Sequence, residues 1–144
     1  MESMDTVNLL KECDAGTKMA VVSIDEILEM VCDEKMKQLL QTSKAQHKKL
    51  EGEICSLLKQ HNAEEKEPSP IAKGMSWMKT NMKMTMAGGD STAADLVTDG
   101  CNMGVKSLHR YLNQYKEADA EAKSICERLI SIEEKLCKDL RAYL

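Results

Sequence analysis

Phenylalanine is absent from this chain of 144 residues, tryptophan occurs once and tyrosine three times. Aromatic residues make up 3%, too few to supply the side chains that fill pleated strands. Two prolines and seven glycines are also too few breakers for a many-stranded β fold, which turns about every dozen residues. No apolar run approaches the ~20 residues that span a bilayer, so no membrane span is expected. The opening residues Met1-Glu2-Ser3-Met4-Asp5 carry acids where a secretory leader carries basic groups. Basic residues are in the minority, 20 Lys and Arg against 24 Asp and Glu, and nothing electrostatic draws the chain to nucleic acid. Six cysteines are present without a Cys-x-x-Cys pair, which reads as reduced thiols in a cytoplasmic protein. What remains is rich in Ala, Leu, Met, Lys and Glu, the helix formers. The composition predicts an all-α fold, a single domain over residues 1–144.

Apolar steps of three and four give the helices. Leu10, Cys13, Thr17, Ala20, Ile24, Ile27 and Val31 form one seam, and Leu40, Ser43, His47, Leu50, Ile54 and Leu57 a second. The phase slips by about two residues between Val31 and Met36, which places a turn near Cys32-Asp33-Glu34 with Asp33 as the cap of the second helix. Both prolines stand in Glu67-Pro68-Ser69-Pro70 and end that helix. A Met-rich helix follows over 71–86 and stops at Gly88-Gly89-Asp90. The later seams run through Ala94, Val97, Cys101, Val105, Leu108, Leu112 and Tyr115, and through Ala122, Ile125, Leu129, Ile132, Leu136, Leu140 and Tyr143. Expected helices therefore cover about 4–31, 34–62, 71–86, 91–116 and 119–143. Four of them are about 40 Å long at 1.5 Å per residue. The short helix at 71–86 predicts a crossover that returns the chain along the bundle, so that the third long helix runs parallel to the second.

Few residues offer chemistry. His47 lies on the second seam and faces inward, while His61 and His109 are expected at the surface. A carboxylate-bridged di-metal centre in a bundle takes a Glu from each of two helices and a Glu-x-x-His pair from each of the others. No Glu or Asp precedes a histidine by three here: Lys44, Leu58 and Lys106 hold those places. A metal site can still be drawn from His47, Glu51 and Glu133, with Glu134 as the neighbouring acid and iron as the metal. Thr17 and Cys101 would face the same layer from the first and third long helices, and neither is the hard anionic ligand that iron prefers. Met75, Met78, Met82 and Met86 make one helical stripe beside Trp77. Such a stripe suits packing or an adaptable partner surface, more than Met-x-Met binding of Cu(I). Cys13 and Cys101 fall on seams, and Cys32, Cys55, Cys126 and Cys137 off them.

Gly74-Met75-Ser76-Trp77-Met78-Lys79, Ala87-Gly88-Gly89-Asp90, Asp99-Gly100 ahead of Val105-Lys106, and Tyr111 a turn later follow one another in an order that resembles an uncharacterised bacterial ferritin-like family. The resemblance implies a ferritin-like four-helix bundle with a left-handed crossover and, in many members, a di-iron site. Thr17, Cys101 and the lack of Glu-x-x-His depart from that site. We therefore expect no cofactor and no enzymatic activity. The expected role is that of a structural or protein-interaction module, with a homodimer or another protein meeting an amphipathic or Met-rich face. The other reading is a metal-binding bundle or oxidoreductase with a degenerate site at His47, Glu51 and Glu133.

Overall fold

Helix α1 spans Met4–Leu28, α2 Glu34–Gln60, α3 Asp90–Gln114 and α4 Ala120–Asp139, followed by a short 3-10 turn, Leu140–Tyr143. The computed structural model describes residues 4–66 and 89–144. The expected helix over 71–86 and its Met stripe lie outside the described residues. No strand occurs among those residues, and none of their helices is long and apolar enough to cross a membrane.

Local chemistry sets the helix ends. Asp33 caps α2, its carboxylate accepting the Met36 N–H at 2.9 Å. At the other end of α2, Asn62 takes the left-handed conformation at φ 55°. Its N–H bonds back to Lys59 O at 3.0 Å and that of Ala63 to Leu58 O at 2.8 Å, closing the orphan carbonyls of the last turn. Asp119 caps α4 by accepting from Ala122 N at 2.8 Å. Helix α1 stops short of the expected Val31 because the N–H groups of Glu29, Met30 and Val31 bond three residues back instead of four. That tightening still tucks Val31 into the core.

The two ends of the bundle are tied by side chains from helix starts. Asp90, first in α3, accepts the backbone N–H of Cys32 at 2.7 Å and of Asp33 at 3.1 Å. At the opposite end Asp5 and Thr6 of α1 accept from Glu117 N at 3.0 Å and Asp119 N at 2.8 Å. The starts of α2 and α3 therefore lie together, and these two helices run in the same direction. They are also not neighbours: α1 packs on α2, α3 and α4, and α4 packs on α2 and α3. Thus α2 ends, and α3 begins, at opposite ends of the molecule.

Apolar burial comes in two clusters. One gathers Leu9, Leu10, Cys13, Leu50, Ile54 and Leu129 near the 115–119 turn. The other gathers Ile24, Ile27, Met36, Leu40, Val97 and Leu140 near the 29–33 turn. A fully buried Leu or Ile is worth about 2 kcal/mol or more. The exposed pair of Arg128 and Glu53, at 3.0 and 2.7 Å between α4 and α2, adds roughly 0.5 kcal/mol. Packing, then, holds the helices, and the clusters leave a gap between them at mid-height.

Candidate functional site in the polar layer

Buried polar side chains fill that gap. Thr17 on α1, Ser43 and His47 on α2, and Glu133 on α4 are all buried, with Cys101 on α3 beside them. Each stands on its helix seam, a step of three or four from an apolar neighbour, so the fold has no choice but to take it inside. Thr17 turns its hydroxyl to the Asp14 carbonyl of its own helix at 2.8 Å. His47 is 1% exposed, and its Nδ1 lies 2.7 Å from the Ser43 carbonyl oxygen and 3.4 Å from the Ser43 hydroxyl. A carbonyl only accepts, so Nδ1 carries a proton and, in the neutral ring, Nε2 presents its lone pair.

Glu133 is 8% exposed, and its Oε1 stands 3.9 Å from His47 Nε2, beyond hydrogen-bond reach. His47 Nε2 and Glu133 Oε2 are both buried without a hydrogen-bond partner among the described residues. Burial pushes the Glu133 carboxyl above the usual range, against a smaller opposing pull from His47. A cavity of about 400 Å³ between α1 and α3 opens onto these two groups. On α3, Gly104 faces Glu133 so closely that a Cβ there would overlap Oε2. Its missing side chain is what gives the carboxyl its place. Burial first, and then Glu133, push the nearby Cys101 thiol up, which keeps it protonated.

Of the residues drawn from the sequence, the structure brings His47 and Glu133 together. Glu51, one turn further along α2, is half-buried and is not among the cavity's lining residues. Glu134 and His109 are exposed, and His61 is half-buried. Ile132, expected on the seam, is half-buried, and Glu133 takes the inward place. Cys126, placed off the seam by the apolar steps, is buried.

A second polar cluster went unnoticed in the sequence. Asp14 is fully buried on α1 and pairs with Lys18 at 2.8 Å. It also accepts the Lys66 N–H at 2.9 Å, and Cys55 Sγ lies 3.8 Å from its other oxygen. Cys55 donates to Glu65 at 2.6 Å, and Lys66 also pairs with Glu12. Asp14, Cys55 and Glu65 converge closely enough to share an ion. Lys18, however, already sits 2.8 Å from Asp14 and 3.3 Å from Glu65 and supplies the positive charge. Burial, with the Glu65 hydrogen bond and nearby acids, leaves the Cys55 thiol pushed up to about 12, far from the thiolate a metal takes. The cluster is a clasp that fastens the segment after α2 to α1. The Asp14–Lys18 spacing of four was its readable sign.

No family model and no curated protein matches the chain. Among solved structures, a conserved hypothetical protein from Mycobacterium tuberculosis matches over 100% of both chains, with a TM-score of 0.72 and 13% sequence identity. At that identity the likeness is one of fold: the chain shares its helical architecture with that protein.

Proposed function

We propose that this chain is a ferritin-like four-helix bundle that works as a non-enzymatic structural or protein-interaction module. The parallel run of α2 and α3, set apart from one another, supports the crossover connection of ferritin-like bundles. The observation that carries the functional part is the donor set of the polar layer. A di-metal centre needs inward carboxylates and histidines from all four helices. Here His47 and Glu133 converge, Thr17 is turned to its own backbone, and the α3 side offers Gly104. Two donors do not fit a carboxylate-bridged pair of iron ions.

A second reading has one observation in its favour. The 3.9 Å between His47 Nε2 and Glu133 Oε1 is a span that one ion could bridge, with Glu51 next along α2. Anaerobic loading with Fe(II), Mn(II) and Zn(II), desalting and elemental mass spectrometry separate the two. The module reading expects no retained metal and no difference in His47→Ala. About one equivalent, lost in His47→Ala and Glu133→Gln, would establish the ion and overturn it. The partner expected is a second copy of this chain or another protein. Met103, 52% exposed on α3, is one apolar contact such a partner would cover. Light scattering across a concentration series reads the self-association: a mass fixed at 16.1 kDa would remove the second copy as partner.

A further inference from the structure

The cavity between α1 and α3 has a mostly apolar wall, into which Ser23 and Ser107 also reach, and a polar floor. Met19, Ala20, Ile24, Val97, Met103 and Leu136 line it, and His47 and Glu133 close its inner end. Its volume of about 400 Å³ lies in the range of small-molecule sites. A water takes up about 30 Å³ and is held by two to four polar partners, so water accounts for the floor and not for the apolar remainder. The floor is also unfinished. Among the described residues His47 Nε2 and Glu133 Oε2 have no hydrogen-bond partner, and such buried groups are ordinarily satisfied.

We infer that this cavity binds a small, mostly apolar molecule headed by a neutral hydroxyl, an alcohol or a phenol, whose oxygen sits between His47 and Glu133. Nδ1 of His47 is committed to the Ser43 carbonyl, so Nε2 accepts the ligand's O–H. Burial favours the neutral form of the Glu133 carboxyl, and in that form it donates to the same oxygen. Nε2 and the other Glu133 oxygen, Oε1, stand 3.9 Å apart, and, each about 2.8 Å from a shared oxygen, they subtend roughly 90° there, a workable angle for a hydroxyl that donates once and accepts once. Other head groups fit less well. Among the described residues no Lys or Arg lines the cavity, so an anion would meet Glu133 without a counter-charge from them. A cation would require Glu133 to ionise in a largely buried place. The inference does not rest on the module reading, although the cavity shares Met103 with the face a partner would cover.

The test uses the full chain, with 13C-labelled methionine methyl groups observed by NMR during titration with 4-ethylphenol, ethylbenzene, 4-ethylbenzoate and 4-ethylbenzylammonium. We expect 4-ethylphenol to shift the Met19 and Met103 methyl signals and to bind about tenfold more tightly than ethylbenzene, the worth of one hydrogen bond. Glu133→Leu together with His47→Leu abolishes that preference and Glu133→Leu alone reduces it, while ethylbenzene still binds. Glu133→Gln, whose amide donates in place of the acid, keeps it. Should Glu133→Leu fail to fold, Gly104→Ala displaces the carboxyl from its place and reduces the preference in the same way. Equal affinities for 4-ethylphenol and ethylbenzene, no shift at Met19, or tighter binding of the benzoate or the ammonium would each overturn the inference.

Discussion

Glu133 holds a carboxyl where its charge is poorly solvated, and this gives the folded state a pH signature. In the unfolded chain a glutamate ionises near 4.3, whereas burial raises the value in the fold. Below the unfolded value both states are protonated and the group takes nothing from stability. As pH rises past it the unfolded chain ionises first, and stability falls until the pH has passed the folded value. His47 on α2 and Cys101 on α3 are the titratable groups that share the cavity with it. Glu133→Gln should therefore gain on the parent as pH rises above about 4.3 and then level off, as read from urea unfolding between pH 4 and 8. Curves that stay parallel would sink the shift. Asp14 makes the contrasting case, since its charge is paired. Asp14→Ala removes the buried partner of the half-buried Lys18 ammonium and leaves the more exposed Glu65 beside it, and should cost about 3 kcal/mol. Adding Lys18→Met should recover part of it, and no recovery would put the loss elsewhere. Both acids lie at helical steps from core residues, Asp14 between Leu10 and Thr17 and Glu133 between Leu129 and Leu136. Apolar spacing passes over an acid, settling on Ile132, because the partner that makes an acid tolerable inside comes from another helix.

Among the elements, α2 was the more legible at its start. The phase slip between Val31 and Met36 located the first turn, and Asp33 caps α2 there. Asp90 could not be read in the same way. Its role is to hold Cys32 and Asp33, far back in the chain, and only the folded arrangement sets the two side by side. Losing the Asp33 cap should cost about 1 kcal/mol. Losing two charge-assisted bonds in Asp90→Ala should cost about 2 kcal/mol. Thermal unfolding of the two variants compares them directly, and a smaller loss for Asp90→Ala would show that its grip on the turn contributes little. The polar members of the second seam, Ser43 and His47, were read correctly as inward because leucines and Ile54 frame them at steps of three and four.

Over the whole molecule the thiols report on global opening. Cys13, Cys101 and Cys126 are buried and Cys32 is exposed. Contact with the Cys126 thiol together with burial pushes Cys13 well up, and burial does the same to Cys101. A disulfide reagent should modify Cys32 at once. The three buried thiols should react only as fast as the protein unfolds, at a rate that does not change with reagent concentration. Fast modification of Cys101 in the native protein would instead place it at an open cavity mouth. The division of the core has a mechanical meaning as well. Each apolar cluster closes upon itself around its own clasped turn, and the layer of Thr17, Ser43, His47 and Glu133 joins them with few interlocking side chains. The bundle is a beam with stiff ends and a compliant midspan, so a load that pries α1 from α3 is absorbed near Gly100 and Gly104 while both ends keep their shape.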